Sequence, residues 1–142
     1  MDNTLGNRRV IAVVPAYNER DNIVSTIEDL RSNAPGVDYV IVNDGSKDDT
    51  LNICREHGYN VIDLPVNLGL AGAFQTGMRY AYEHGYDYAV QFDADGQHSA
   101  AYIAEMVHVA EEKGANIVIG SRFATQKKPV SARMAGSVLI SA

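Results

Sequence analysis

The sequence predicts an α/β domain built on a mostly parallel sheet with helices on both faces. Short apolar runs alternate with segments in which apolar residues recur at helical spacing, and this order holds through five runs. The first run, Val10–Val14, contains no polar residue, which is typical of a strand buried on both faces of a parallel sheet. Strict alternation of strands and helices favours a parallel sheet over separate helical and β regions.

Five strands and four helices follow from this pattern along the chain. The predicted strands are Val10–Val14, Tyr39–Val42, Asn60–Leu64, Tyr88–Phe92 and Asn116–Gly120. The helices lie between these strands. The third helix runs from Asn67 to about Glu83. The apolar positions of the others are Ile23, Ile27 and Leu30 in the first, Leu51, Ile53 and Cys54 in the second, and Ile103, Met106, Val107 and Ala110 in the fourth.

Helix caps and strand order complete the predicted topology. Asn18 or Asp21 is expected to cap the first helix, and Ser99 the fourth, because short polar side chains accept hydrogen bonds from the first turn. Right-handed crossovers between parallel strands then fit the order 3-2-1-4, with a further strand beyond. A ligand crevice is expected where the winding reverses, between the ends of strands 1 and 4.

Composition limits the class of protein. A chain of 142 residues that is 46% hydrophobic is long enough for one domain with its own core. The net charge of −6 argues against nucleic acid as a partner, because nucleic-acid binding needs a basic face. The single cysteine, Cys54, cannot form an internal disulfide and is expected to be a small core residue in a reducing, cytoplasmic setting. No apolar run approaches the length of a membrane span, and residues 1–9 lack the apolar segment of a signal peptide.

A pair of carboxylates, Asp93 and Asp95, follows the fourth predicted strand. Two carboxylates this close repel each other unless a cation lies between them. Mg²⁺ or Mn²⁺ accepts such a pair and leaves positions open for phosphate oxygens, so the pattern predicts a metal–diphosphate site. A plain turn is the alternative, because Asp and Gly are common turn residues. A calcium loop is a poor fit, because Ala104 stands where that loop needs a carboxylate.

Two further strand ends carry candidate binding groups. Asp44 ends the second strand, and Gly45 allows a tight turn behind it. Its carboxylate could accept hydrogen bonds from a base imide or a ribose hydroxyl. Alternatively, the polar residues Asp44, Ser46, Asp48 and Asp49 could only cap the next helix, or Ser46 or Asp48 could cap it while Asp44 faces the ligand. Arg122 leaves the fifth strand on the same side and could pair with a phosphate, although exposed arginines are also common without such a role.

Four short motifs at strand ends carry a resemblance to a known family. They are Pro15–Glu19, Asn43–Ser46, Asp93–Asp95 and Gly120–Arg122, in this order. With them the sequence resembles the inverting family 2 glycosyltransferases, which have the Rossmann-like GT-A fold. It looks closest to the polyprenol-phosphate sugar transferases, such as dolichyl-phosphate mannose synthase. The resemblance covers residues 10–123.

The resemblance implies a nucleotide-diphospho-sugar donor, UDP- or GDP-linked, and a divalent metal. It further implies transfer with inversion to an acceptor such as a polyprenyl phosphate or a cell-surface glycan, in cell-wall or lipid-linked glycan biosynthesis. The first-loop residues that match the base pocket of the family are Pro15, Ala16, Tyr17 and Glu19, and Asp44 matches the carboxylate that holds the base.

The same resemblance gives roles to the residues after the fourth strand. Asp93 and Asp95 match the aspartates that bind ribose, diphosphate and metal, and Gln97 matches a further metal ligand of some members. Arg122 completes the predicted nucleotide-binding set. The resemblance therefore implies that Asp93, Asp95 and Gln97 hold Mg²⁺ or Mn²⁺.

The sequence departs from the family pattern in its last part, where no general base is evident. No aspartate follows Asp95, and Glu105, Glu111 and Glu112 lie on the next helix or at its end, away from the predicted pocket. We therefore expect residues 1–123 to be a donor-binding domain. Residues 124–142 are expected to be a tail that leads into a missing acceptor half, and the fragment alone is expected to be inactive.

The tail also predicts association with a partner. Val130, Met134 and Val138 recur at intervals of four residues, which indicates the first turns of a helix. With Leu139 and Ile140 they would expose apolar surface, so we expect a homo-oligomer. Any association with the inner face of a membrane would come through segments outside this sequence.

Two alternatives of different function remain open at this point. A nucleotidyltransferase shares the architecture and the metal, but it would need a glycine-rich, basic loop after the first strand, and Pro15–Glu19 is neither. A catalytically idle nucleotide-binding module is the second alternative.

Overall fold

Strands and helices alternate along the described chain up to residue 119, as the sequence predicts. The computed structural model describes residues 5, 7–94, 99–114, 117–119 and 138–141. Within these ranges the elements, in chain order, are β1 (Val10–Ala16), α1 (Ile23–Asn33), β2 (Asp38–Asp44), α2 (Thr50–Glu56), β3 (Val61–Leu64), α3 (Gly69–Glu83), β4 (Tyr88–Gln91), α4 (Tyr102–Lys113), β5 (Ile117–Ile119) and β6 (Val138–Ser141).

All of these strands belong to one sheet with the order β3-β2-β1-β4-β6-β5. β1 pairs in parallel with β2 and with β4, and β2 pairs in parallel with β3. β6 runs antiparallel to both of its neighbours, β4 and β5. The predicted order 3-2-1-4 with a further strand is therefore confirmed, and the mixed character of the sheet comes from β6 alone.

The prediction of a helix that includes Val138 is wrong. Residues Val138–Ser141 form β6, in which Leu139 pairs with Val90 of β4 and Ile140 pairs with Ile117 of β5. A short run rich in β-branched residues suits a strand, and a place between two strands satisfies the backbone on both sides. The expectation that this apolar run lacks partners is also wrong, so it no longer supports a homo-oligomer. Val130 and Met134 lie outside the described residues.

The core is divided between the two faces of the sheet, because successive residues of a strand point to opposite sides. On one face Ile11 and Val13 of β1 pack with Ala73 and Ala81 of α3. On the other face Val10, Ala12 and Val14 pack with buried residues of α1, α2 and α4, among them Ile27, Cys54 and Met106. Helices therefore cover both faces, as predicted.

A close approach between α3 and β1 fixes that helix against the sheet. Gly77 faces Val13, and a Cβ added at Gly77 would lie 2.1 Å from Cγ1 of this valine. Val13 is fully buried, so it has no open space into which to move. The small residue lets the backbone of α3 come within reach of β1.

The predicted helix caps differ from the observed ones. Asn22 is the N-cap of α1, and no side chain caps this helix, so neither Asn18 nor Asp21 has the predicted role. Ala101 is the N-cap of α4, and Ser99 instead accepts a hydrogen bond from the Ala101 backbone N–H at 3.3 Å, one turn before the helix. Among the described residues no helix is long and apolar enough to cross a membrane.

Candidate functional site

Three polar loops meet along one edge of the sheet. β1 lies between β2 and β4, so the carboxyl ends of these three parallel strands are neighbours. Tyr17 follows β1, Asp44 is the last residue of β2, and Asp93 comes two residues after β4. The winding reverses between β1 and β4, and such a reversal opens a crevice in an α/β sheet. The structure therefore brings these three strand ends to the same end of the sheet, where the sequence predicts the crevice.

The loop after β1 presents one exposed aromatic ring. Pro15 and Ala16 are buried within β1, whereas Tyr17 is 43% exposed. Glu19 is half-buried, and its Oε2 accepts a hydrogen bond from the Asn22 side chain at 3.1 Å. The exposed Tyr17 side chain is therefore the part of this segment that a flat ligand could contact. The assignment of these four residues to a base pocket stays a prediction.

Asp44 connects the end of β2 to the beginning of α3. Its side chain is only 4% exposed, and its Oδ1 accepts a hydrogen bond from the backbone N–H of Leu68 at 2.7 Å. The Asp44 carbonyl accepts a second bond from the Asn67 amide at 3.0 Å. Leu68 is the N-cap of α3, so this carboxylate satisfies a donor at the start of α3 and not of α2. Contact between Asp44 and a base remains a prediction.

Gly45 allows the same two segments to approach each other. Its φ is +68°, a left-handed conformation that glycine adopts without strain. A Cβ at this position would lie 2.6 Å from the backbone nitrogen of Asn67, which cannot move easily. The tight turn predicted at Gly45 is therefore present. The absence of a side chain there allows close contact with the β3–α3 connection.

Hydrogen bonds also order the start of α2, where the sequence predicted a cap from Ser46 or Asp48. The N-cap of α2 is Asp49, whose side chain makes no capping bond, so neither Ser46 nor Asp48 is the N-cap. Asp48 instead bonds the first residue of the helix: its Oδ1 accepts a hydrogen bond from the Thr50 backbone N–H at 2.9 Å and another from the Thr50 hydroxyl. Burial of Asp48 acts to raise the pKa of its carboxyl. The hydrogen bonds from Thr50 and from the Arg20 backbone outweigh burial, so the pKa is lowered.

Asp93 occupies the predicted position beside the crevice. The Phe92 backbone N–H donates to the Val13 carbonyl at 2.9 Å, which keeps the end of β4 against β1. Asp93 is half-buried, and its Oδ1 accepts a hydrogen bond from the Gln91 side chain at 2.9 Å. Asp95, Gln97 and Arg122 lie outside the described residues.

The donor chemistry at this strand end fits a hard divalent cation. Asp93 offers carboxylate oxygens, which Mg²⁺ and Mn²⁺ prefer, and the sequence places a second carboxylate two residues on. Within the described ranges no three His, Cys, Asp or Glu side chains come together as a metal group. A metal site here therefore depends on Asp95 and Gln97 as well as on Asp93, and it stays a prediction.

Two groups that were not expected to act in the site lie elsewhere. Cys54 is fully buried, and burial raises the pKa of its thiol to about 11, so the prediction that it is a core residue is confirmed. Glu111 accepts hydrogen bonds from the Tyr88 hydroxyl at 2.6 Å and from Arg8, and these bonds lower its pKa. Tyr88 begins β4, so Glu111 lies near the amino end of that strand, away from the crevice.

A cleft of about 390 Å³ opens at the opposite edge of the sheet, at the amino ends of the strands. Asp38 and Tyr39, the first residues of β2, line it together with Tyr86. The Tyr86 hydroxyl donates to Asp38 at 2.6 Å, and the Arg9 guanidinium lies 4.4 Å from the centre of the Tyr86 ring. Burial first, and then the hydrogen bond to Asp38, raise the pKa of Tyr86 to about 12. This cleft does not belong to the candidate site.

The sequence analysis missed residues that act between loops. Thr50 is fully buried, and its hydroxyl accepts a hydrogen bond from the Glu19 backbone N–H at 2.9 Å. Asn67 bonds the Asp44 carbonyl, and its own Oδ1 accepts from the Gly69 N–H at 3.1 Å. Because their partners are distant along the chain, the only signal in the sequence is their place at a helix start: Thr50 begins α2, and Asn67 lies two residues before α3.

The family of the chain follows from comparison with known proteins. The family model described as "Glycosyl transferase family 2" matches residues 11–139. The chain belongs to glycosyltransferase family 2. This membership agrees with the family that the four strand-end motifs suggested.

Two relatives show how the chain compares with named members of the family. It is 33% identical over 119 residues to undecaprenyl-phosphate mannosyltransferase of Micrococcus luteus, a match that covers 80% of this chain and 48% of the relative. It is 33% identical over 141 residues to UDP-N-acetylglucosamine–dolichyl-phosphate N-acetylglucosaminyltransferase of Methanococcus voltae, covering 87% of this chain and 56% of that protein. The chain thus spans about half the length of the curated relatives it matches.

Solved structures with a similar fold are also glycosyltransferases of the GT-A type. One is glucosyl-3-phosphoglycerate synthase from Mycobacterium tuberculosis, solved with Mn²⁺, UDP-glucose and phosphoglyceric acid. Its TM-score is 0.72 at 21% identity, over 97% of this chain and 58% of that one. S. aureus TarS with UDP gives a TM-score of 0.68 at 18% identity, over 89% of this chain and 39% of that one. At these identities the likeness establishes the GT-A fold, in agreement with the sequence-based prediction.

Proposed function

We propose that this chain binds the nucleotide-diphospho-sugar donor of an inverting glycosyltransferase. The observation that carries the proposal is that the carboxyl ends of β1, β2 and β4 are neighbours in the sheet. Tyr17, Asp44 and Asp93 lie at or just after these three strand ends. Residues 1–123 form the donor-binding domain in this proposal. Transfer to the acceptor is proposed for the protein as a whole, and no residue of this chain is assigned as the general base.

The nucleotide end of the donor belongs to the loops after β1 and β2. Tyr17 offers its exposed ring to the face of the base, and an aromatic ring stacks on any base. Pro15, Ala16 and Glu19 complete the base pocket in this proposal. Asp44 accepts a hydrogen bond from the base imide or a ribose hydroxyl with the oxygen that Leu68 does not use.

The diphosphate end belongs to the loop after β4. Asp93, Asp95 and Gln97 would hold Mg²⁺ or Mn²⁺, which would neutralise the charge of the diphosphate and of the nucleotide as it leaves. Arg122 adds a positive charge for a phosphate oxygen. The order of β2, β1 and β4 in the sheet supports this division, because it sets the base pocket and the diphosphate side by side.

The acceptor in this proposal is a polyprenyl phosphate or a cell-surface glycan, and the donor is UDP- or GDP-linked. The support is the names of the relatives, which include an undecaprenyl-phosphate and a dolichyl-phosphate transferase. A phosphate acceptor is already anionic at neutral pH, so attack by it would need less help from a general base than attack by a sugar hydroxyl.

Calorimetric titration with UDP, GDP and CDP, each with and without Mn²⁺, tests the proposal. We expect one nucleotide to bind in the presence of Mn²⁺ and to bind much more weakly without it. Asp95→Ala should remove the effect of Mn²⁺. Glu112→Ala, which changes an exposed carboxylate of α4, is the matched control and should bind as the wild type does.

The possible results separate the parts of the proposal. If none of the three nucleotides binds, the donor-binding function is wrong. If Asp95→Ala binds nucleotide in Mn²⁺ as tightly as the wild type, the metal assignment is wrong while the base pocket stands.

A further inference from the structure

The loop between β1 and α1 is bonded to side chains of the loop between β2 and α2 and of the first residue of α2. Three consecutive backbone N–H groups of the first loop each donate to a different side-chain oxygen. The bonds are Asn18 N–H to Ser46 Oγ at 2.9 Å, Glu19 N–H to Thr50 Oγ1 at 2.9 Å and Arg20 N–H to Asp48 Oδ2 at 3.3 Å. The backbone conformation of the first loop is therefore stabilised by hydrogen bonds to a segment that is distant in the sequence.

Asn18 adds a bond in the opposite direction. Its Oδ1 accepts a hydrogen bond from the Lys47 backbone N–H at 2.8 Å, while its own N–H donates to Ser46. Its φ is 53°, in the left-handed region that asparagine tolerates better than most residues other than glycine. Asn18 is thus both a donor and an acceptor across the gap between the two loops, in a conformation that few side chains accept.

We propose that Asn18 is a positioning residue, which couples the two loops and thereby fixes Tyr17 and Glu19 relative to Asp44 for nucleotide recognition. The proposal rests on the donor-binding function proposed above. The oxygen of the Asn18 side chain accepts the Lys47 backbone N–H, so the role that we assign to Asn18 runs through the two loops.

The physical reason is the cost of ordering a binding site. A loop that is already held in its binding conformation loses less freedom when the ligand arrives. Without the bond between Asn18 and Lys47, the Tyr17 ring and the Asp44 carboxylate would sit on two loops with fewer links between them. The expected loss is about two- to ten-fold in nucleotide affinity, the range that corresponds to one neutral hydrogen bond.

Two substitutions at Asn18 separate its backbone conformation from its side-chain bond. Asn18→Gly keeps the left-handed conformation and removes the acceptor, whereas Asn18→Asp keeps an acceptor oxygen for Lys47. Asn33→Ala is the matched control, because this asparagine is exposed and its side chain bonds within its own helix, to Asp29. Three quantities are measured for each variant: nucleotide affinity by calorimetry, melting temperature, and exchange of the Lys47 amide hydrogen by NMR.

We expect Asn18→Gly to bind nucleotide about two- to ten-fold more weakly and to lose protection of the Lys47 amide, with a melting temperature close to that of the wild type. Asn18→Asp should restore both affinity and protection to within about two-fold, because it retains the acceptor. Asn33→Ala should match the wild type in all three. A purely structural role of Asn18 would instead lower the melting temperature without changing affinity.

Two results would overturn the inference. One is a Lys47 amide that stays protected in Asn18→Gly, and the other is unchanged nucleotide affinity in a variant whose Lys47 amide has lost protection. If the wild type binds no nucleotide, the donor-binding function fails separately. Exchange at Lys47 then decides alone whether Asn18 couples the loops: loss of protection upholds the coupling, and retained protection refutes it.

Discussion

Replacement of Asp44 tests how one side chain serves both the fold and the site. Asp44→Ala removes the oxygen that accepts the Leu68 N–H at 2.7 Å, at a residue that is only 4% exposed. Asp44→Asn keeps a carbonyl oxygen in the same place but removes the negative charge. The two variants therefore separate the bond to Leu68 from the charge that we assign to nucleotide recognition.

The size of the effect follows from the surroundings of the bond. A hydrogen bond to a charged group contributes about 1.5–3 kcal/mol to stability. The bond is only partly buried, and Leu68 is 53% exposed, so we expect water to offset part of the loss when the partner is removed. We therefore expect Asp44→Ala to lower the free energy of unfolding by the lower part of that range, about 1.5–2 kcal/mol. Asp44→Asn exchanges a charged acceptor for a neutral one and should lower it by about 0.5–1 kcal/mol.

Urea denaturation followed by circular dichroism measures the stability, and calorimetric titration measures the nucleotide affinity. Both variants should bind nucleotide about 1–3 kcal/mol more weakly, because both lose the charge. Asp49→Ala is the control: Asp49 is exposed, makes no side-chain cap to α2, and should change stability by no more than about 0.5 kcal/mol.

Either half of the reasoning can fail separately. If Asp44→Ala is as stable as the wild type, the bond to Leu68 does not hold the β3–α3 connection. If Asp44→Asn binds nucleotide as tightly as the wild type, the carboxylate has no part in recognition and its role is structural.

Two further predictions concern packing and pH. Gly77→Ala should lower the free energy of unfolding by about 1–3 kcal/mol in urea, because overpacking against buried Val13 outweighs the better helix propensity of alanine. The double variant with Val13→Ala should show a smaller loss than the two single losses added, and strict additivity would contradict the predicted clash. Burial, together with the bond to Asp38, raises the pKa of Tyr86 from 10.0 to about 12, so its contribution to stability is present below pH 10 and is lost as pH rises through that interval. Tyr86→Phe should therefore show a shallower fall in unfolding free energy between these pH values, and an equal fall would refute the assignment.

The strand order was predictable because it depends on features that a sequence displays directly. Val10–Val14 is apolar throughout, and polar residues mark the end of each strand that reaches the crevice. Right-handed crossovers leave few arrangements for such a chain. The place of Asp44 and Asp93 at one edge of the sheet follows from this order, whatever the details of the loops.

The strand β6 could not be predicted in the same way. Val138 stands four residues after Met134, and a local period of this kind indicates a helix when nothing else is known. The space beside β4 is a property of the folded sheet, and a short apolar run that fills it satisfies backbone groups on two neighbouring strands. The tertiary environment decided the conformation here.

The predictions of the helix caps were wrong for a related reason, and the observed bonds bear on how the site works. Asn18 was expected to bond within its own turn, but it bonds Lys47 of another loop, just as Asp44 bonds Leu68. In both cases a polar side chain near a strand end joins two connections that are far apart in the sequence. The ring of Tyr17, in contrast, remains exposed. Substitutions at Asn18 or Asp44 should therefore change nucleotide affinity by moving the loops, and they should also change amide exchange or stability. Loss of the Tyr17 ring should change affinity alone, since it is not packed in the core. Measuring affinity and stability together thus distinguishes residues that position the loops from residues that contact the ligand.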